Sequence, residues 1–168
     1  GGFFEAVDHV YGQILETIRT HPKHRLWFCG HSLGAALATL CAGRINRNDI
    51  GLYTYGSPRV VTKEYPKYIH FKHRYRFRNN NDLVTKLPPI GDFKHLGKTM
   101  YFDSKGDWVQ HLSKYTFWIG WFKGTWEGLK KFKWDSFADH SINDYVYLVG
   151  KAREEDQNEF EKEVDTEA

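Results

Sequence analysis

The pentapeptide Gly30-His31-Ser32-Leu33-Gly34 constrains this chain more than any other stretch. The apolar run Leu26-Trp27-Phe28-Cys29 precedes it and suits a buried strand. Ala35-Ala36-Leu37-Ala38-Thr39-Leu40-Cys41-Ala42 follows, rich in helix formers and small side chains. It predicts a helix ended by Gly43 or Asn46. A strand that turns at once into a helix brings two backbones close together. Gly30 and Gly34 are expected to avoid clashes there, with Ala35 and Ala36 serving the same packing need.

The rest of the chain alternates strands with helices. Phe3, Val7, Val10, Ile14 and Ile18 recur at helical spacing, and His21-Pro22-Lys23 ends that amphipathic helix. Ile50–Tyr55 reads as a strand closed by Gly56-Ser57-Pro58, and Tyr75–Arg78 as another, running into the loop Asn79-Asn80-Asn81-Asp82. Residues 98–109 suggest a hairpin around Asp103-Ser104-Lys105-Gly106. Ser141 with Asp144 marks a helix start, and the helix turns Tyr145, Leu148 and Val149 inward. This order predicts an α/β class with a mostly parallel sheet. Residues 1–150 read as the folded domain and residues 151–168 as an acidic tail, frayed or disordered.

A serine in that turn is held in strained backbone at the strand tip. The helix behind it points its N-terminal amides at any developing oxyanion. The Leu33 N–H is then one oxyanion donor. Serine needs a base, and the base needs an orienting acid. With the chain order Ser, acid, His, the candidates are Ser32, Asp82 and His140. His9, His21, His24, His70 and His73 precede Asp82 and break the order, and His31 adjoins the serine. His95 and His111 remain rivals for the base, although His95 reads equally as a packed structural histidine. Asp92, Asp103 and Asp107 suit turns, and Asp139 suits capping or pairing elsewhere.

The 168 residues carry a net charge of +3, unevenly placed. Lys151–Ala168 holds eight acids against three bases, which leaves 21 bases against 13 acids before it. Such a body could face a phosphate-bearing surface or simply be solvated. No nucleic-acid motif is present and no obligate protein partner is evident. Cys29 and Cys41 lack metal-ligand spacing and read as buried free thiols, so no metal is expected. Tyr115–Phe137 holds nine aromatics interleaved with Lys123, Lys130, Lys131 and Lys133. It suits either a packed flank lining an acyl groove or a lipid–water interface, including a membrane or lipid-droplet surface.

Taken in order, several stretches resemble the class 3 (fungal-type triacylglycerol) lipases. They are Gly2-Phe3, Gly30–Ala38, Tyr55-Gly56-Ser57-Pro58-Arg59-Val60, Asn81-Asp82-Leu83-Val84 with Leu87-Pro88-Pro89, His95-Leu96-Gly97, and Asp139-His140 with Tyr145. The resemblance implies an α/β-hydrolase with Ser32, Asp82 and His140 as its triad and no cofactor. It also implies that Tyr55–Arg59 is a structural strand end near the site. His31, Pro88, Trp118 and Trp121 are groove candidates. The expected activity is cleavage of carboxylic esters of lipids through an acyl-enzyme. Acyl transfer to another alcohol, or a non-catalytic lipid-surface module, are the alternatives. Thr85 stands where the family usually has proline. The family's earlier strands, lid and second oxyanion donor are expected upstream of Gly1.

Overall fold

The computed structural model describes residues 2–88, 91–109 and 139–166, with side chains described through residue 157. Trp118, Trp121, His111 and the aromatic stretch around them lie outside the described residues. The chain divides into two compact units. One comprises Gly1–Arg78 with Leu83–Met100, and the other Asn79–Asp82 with Tyr101–Ala168.

In the first unit, α1 (Gly2–Thr20) leads to β1 (Trp27–His31), α2 (Leu33–Ile45) and β2 (Gly51–Tyr55). The two-residue β3 (Val61–Thr62) comes before β4 (His73–Asn79). β1 pairs parallel with β2, and β2 with β4, so that Gly30 faces Thr54 and Tyr53 faces Tyr75. α2 is the crossover that a parallel β1–β2 pair requires. β5 (Phe93–Lys94) pairs antiparallel with β3. β6 (Lys98–Phe102) follows β4 in the sheet order.

The core of this unit lies between the sheet and its helices. Ala36, Leu40, Ile50, Leu52 and Phe71 are almost wholly buried, with Val7 reaching in from α1. α2 is apolar on most sides and is buried accordingly. Asn46 ends it in left-handed conformation at φ 48°, donating its N–H to the Ala42 carbonyl. Its side chain also ties down a distant turn, giving Nδ2 to the Tyr68 carbonyl and accepting the His70 N–H. Gly43, the other candidate stop, lies inside the helix, where an added Cβ would sit 2.2 Å from the Tyr65 hydroxyl.

Strand alternation corrects two expectations. Leu26 and Phe28 pack against the core, whereas Trp27 is 57% exposed and Cys29 is exposed, not buried. Trp27 and Cys29 project from the sheet face opposite α2, where Trp27, Tyr53 and Tyr75 form a column of rings 5.4–5.6 Å apart. Only Cys41 is a buried thiol, and burial pushes its pKa up.

The loop after Asp82 is fastened from two sides. Arg59 Nη1 donates to the Lys86 carbonyl and, at 2.6 Å, to the Pro88 carbonyl, while the Arg59 N–H donates to Leu87 O at 2.7 Å. His95 Nε2 meets the Thr85 carbonyl at 3.0 Å. Burial, with the positive charges of Arg76 and Arg59, pushes the His95 pKa from 6.5 down to about 3.

In the second unit, the end of β6 pairs antiparallel with β7 (Trp108–Val109). The hairpin turn is held by Asp103 Oδ1, which accepts the Lys105 and Asp107 N–H groups. α3 (Ile142–Thr166) buries Tyr145 and Leu148. It crosses residue 150 without a break, so the acidic run expected to fray or lose order is helical to Thr166.

The motif's two glycines differ in what they face. A Cβ on Gly30 would lie 2.4 Å from the Gly34 carbonyl oxygen and 2.7 Å from Ala35 N. A Cβ on Gly34 would meet nothing within 4 Å among the described residues, which corrects the expectation that both avoid a clash. Gly30→Ala should therefore cost about 1–3 kcal/mol in chemical denaturation, whereas Gly34→Ala should be neutral or stabilise by up to about 1 kcal/mol. Equal losses would contradict this.

His95 gives a second expectation. Between pH 6.5 and about 3 the unfolded chain holds a proton on His95 that the folded chain lacks, so this residue makes stability fall as pH falls. Comparing urea unfolding at pH 7 and pH 4.5, His95→Gln should lose about 1–2 kcal/mol less stability than wild type. Identical losses would remove His95 as a cause of acid sensitivity.

Candidate active site

Ser32 occupies the junction of β1 and α2 with φ 55° and ψ −124°. A non-glycine residue rarely adopts this conformation, which costs on the order of 1–3 kcal/mol. Backbone bonds on both sides hold it. Its N–H donates to the Tyr55 carbonyl at 3.0 Å, and its carbonyl accepts from Ala35 N at 3.1 Å and Ala36 N at 3.3 Å. Although Ser32 is the N-cap of α2, its side chain does not cap the helix. Leu33 opens α2, and its backbone N–H is among the amides that no carbonyl within the helix can satisfy. The helix dipole adds positive potential at the same place. Ala35 and Ala36 are wholly buried, which lets α2 run close behind the strand.

The first unit also holds the sequence candidates His31, Pro88 and His95. His31 ends β1 and is half-buried, paired in register with Tyr55, whose ring stacks on Phe77 at 4.9 Å. Pro88 is half-buried in the loop that Arg59 braces. His95 was a rival for the base, but its Nε2 is committed to Thr85 O and its pKa of about 3 leaves it a weak proton acceptor at neutral pH.

The second unit brings Asp82 and His140 together. His140 Nδ1 lies 3.0 Å from each carboxylate oxygen of Asp82. The Asp82 side chain is wholly buried and that of His140 is 16% exposed. A hydrogen bond from Nδ1–H to the carboxylate directs the other ring nitrogen, Nε2, to serve as proton acceptor. The Tyr145 hydroxyl donates to Asp82 Oδ2 at 2.6 Å and accepts the Asn79 N–H at 3.0 Å.

The loop that carries Asp82 is organised by the segment that carries His140. Asp139 Oδ2 accepts from the Asn81 N–H at 3.1 Å and Asn80 Nδ2 at 3.2 Å, and its carbonyl accepts from Asn79 Nδ2 at 3.1 Å. Asp82 N–H closes the turn on Asn79 O at 2.9 Å. Asn80 takes a positive φ of 31° there, which asparagine tolerates better than most residues. Sequence reasoning missed the bond from Tyr145 to Asp82 and the bracing by Arg59. The signal was faint: a lone tyrosine three residues into a helix, and a lone arginine after a strand. Among the described residues no group of three or more histidine, cysteine or acidic side chains could hold a metal ion.

Comparison with known proteins identifies the family. The family model for lipase (class 3) matches residues 1–91, more than half of the chain. The secreted mono- and diacylglycerol lipase A of Penicillium cyclopium is 39% identical over 85 residues, covering 48% of this chain and 28% of that protein. The structure of a mono- and diacylglycerol lipase from Aspergillus oryzae is 34% identical with a TM-score of 0.55, covering 61% of this chain and 41% of that one. A triacylglycerol lipase described as having a serine-protease triad for its catalytic centre is 28% identical with a TM-score of 0.56, covering 64% and 46%. The chain thus spans just over a quarter of the curated relative's length. The fold is that of an α/β-hydrolase, with a mostly parallel sheet flanked by helices. On the match of residues 1–91, reinforced by these relatives, the chain belongs to the class 3 lipase family.

Proposed function

We propose that this chain carries the nucleophile, base and acid of a serine hydrolase that cleaves carboxylic esters of lipids, with acylglycerols as the substrate class. The observation that carries the reading is the backbone of Ser32, a non-glycine residue held at φ 55° where β1 passes into the N-terminus of α2. A fold keeps a strained residue where its side chain is needed. The buried Asp82–His140 hydrogen bond adds the base and the group that orients it. The relatives named as acting on mono- and diacylglycerols, and the triacylglycerol lipase with a serine-protease triad, support the substrate class and the chemistry.

In this mechanism His140 Nε2 takes the proton of the Ser32 hydroxyl as its oxygen attacks the ester carbonyl. Asp82 holds the imidazole in the required tautomer and stabilises the imidazolium that forms. The Leu33 N–H and the dipole of α2 stabilise the tetrahedral oxyanion. The imidazolium protonates the leaving alcohol, and the acyl group stays on Ser32. Water, deprotonated by the same histidine, then releases the fatty acid. His31, Pro88, Trp118 and Trp121 are proposed as groove residues, with a lipid surface as the alternative site for the two tryptophans.

A fluorophosphonate probe tests the chemistry, because it forms a covalent adduct only with an activated serine. Labelling should map to Ser32, disappear in Ser32→Ala, and slow by about 10³-fold or more in His140→Ala. Undiminished labelling of Ser32→Ala would sink the reading. Flotation with anionic liposomes tests the surface: changing Trp118 and Trp121 to alanine should weaken binding, and unchanged binding would remove the membrane contact.

A further inference from the structure

We propose that Tyr145 is a positioning residue that fixes the Asp82 carboxylate, and through it the His140 imidazole. The inference rests on the proposed function for its catalytic meaning, but its structural basis lies wholly within the second unit. His140 Nδ1 is equidistant, at 3.0 Å, from both oxygens of Asp82. That contact by itself does not select one oxygen or fix the rotation of the carboxylate. The Tyr145 hydroxyl breaks the symmetry, donating to Oδ2 at 2.6 Å, a short bond of the charge-assisted kind.

The direction of that bond is set by the backbone. Tyr145 Oη accepts the Asn79 N–H at 3.0 Å, which turns the hydroxyl proton away from Asn79 and onto the carboxylate. Asn79 O in turn accepts the Asp82 N–H, so the tyrosine holds the acid's side chain and its loop at once. Tyr145 is 1% exposed and Asp82 wholly buried, so water is a poor substitute for the hydroxyl. Tyr145 also lies five residues after His140 on the same segment. The turn at His140 and the first turn of α3 that follows it therefore place the base and the clamp on its partner within one short segment.

The test compares Tyr145→Phe with Leu148→Ala in the full 168-residue chain. Leu148 lies one turn further along α3, is buried, and has an aliphatic side chain that can neither donate nor accept a hydrogen bond. Two readouts are needed. One is the proton NMR resonance of His140 Nδ1–H in chain labelled with ¹⁵N-histidine, assigned by its loss in His140→Gln. The other is fluorophosphonate labelling of Ser32, resolved into a saturation constant and a maximal rate. Tyr145→Phe should shift or broaden the resonance and lower the maximal rate about tenfold or more, with the saturation constant unchanged. Leu148→Ala should lower the melting temperature and leave both readouts in place. If Tyr145→Phe does not fold, 3-fluorotyrosine at position 145 keeps the hydroxyl, makes it more acidic, and should still move the resonance. A Tyr145→Phe chain that melts earlier with its resonance and labelling intact would overturn the proposal and leave Tyr145 a packing residue. If wild-type Ser32 does not label, the functional reading fails, and the resonance alone decides whether Tyr145 positions the Asp82–His140 pair.

Discussion

The close approach of β1 and α2 at Ser32 is the constraint on which the first unit depends. With 2.4 Å between an imagined Gly30 Cβ and the Gly34 carbonyl oxygen, the strand leaves no room for a side chain where the helix begins. That proximity holds the serine between two sets of backbone hydrogen bonds, one to Tyr55 on the neighbouring strand and one to the first amides of α2. The same geometry aims the amides of α2 beside the serine. Strain, close packing and electrostatic preorganisation are thus three consequences of one turn. The wholly buried Ala35 and Ala36 extend the contact, since bulkier residues would push the helix off the sheet.

The second unit solves a different problem, that of keeping a charged side chain buried. A carboxylate out of water is costly unless its oxygens find donors. Asp82 finds them in His140 and Tyr145, both supplied by one short segment that also braces the asparagine loop through Asp139. Histidine plays the opposite part in the first unit. His95 is kept neutral by burial and by two nearby guanidinium groups, and it serves the Thr85 carbonyl. Two histidines that both follow Asp82 in the chain are separated in role by their surroundings alone.

Much of this was legible in the residues. Helical spacing marked α1, the apolar runs marked β1 and β2, and asparagine clustering marked the loop before Asp82. The misreadings share a cause. Cys29 looked buried because apolar neighbours flank it, yet strand alternation turns it to the opposite face from Phe28. Gly34 looked obligatory because it mirrors Gly30, yet only Gly30 faces backbone. The acidic run after residue 150 looked like a frayed helix or a disordered tail, yet it continues a helix already anchored by Tyr145 and Leu148. Composition describes what a residue is, while burial depends on which way the backbone turns it.

The sequence by itself determined the turn at Ser32, because glycine spacing and small residues act within a few positions and need no distant partner. It also determined the family, through motifs read in order. Chain order named His140 as the histidine for Asp82 to orient, but only the tertiary structure decided how that carboxylate is held. Its partners lie 58 and 63 residues away in the chain, and no local pattern states that a tyrosine hydroxyl and an imidazole will converge on one buried carboxylate. Such a bond depends on where two distant segments are carried by the packing between them.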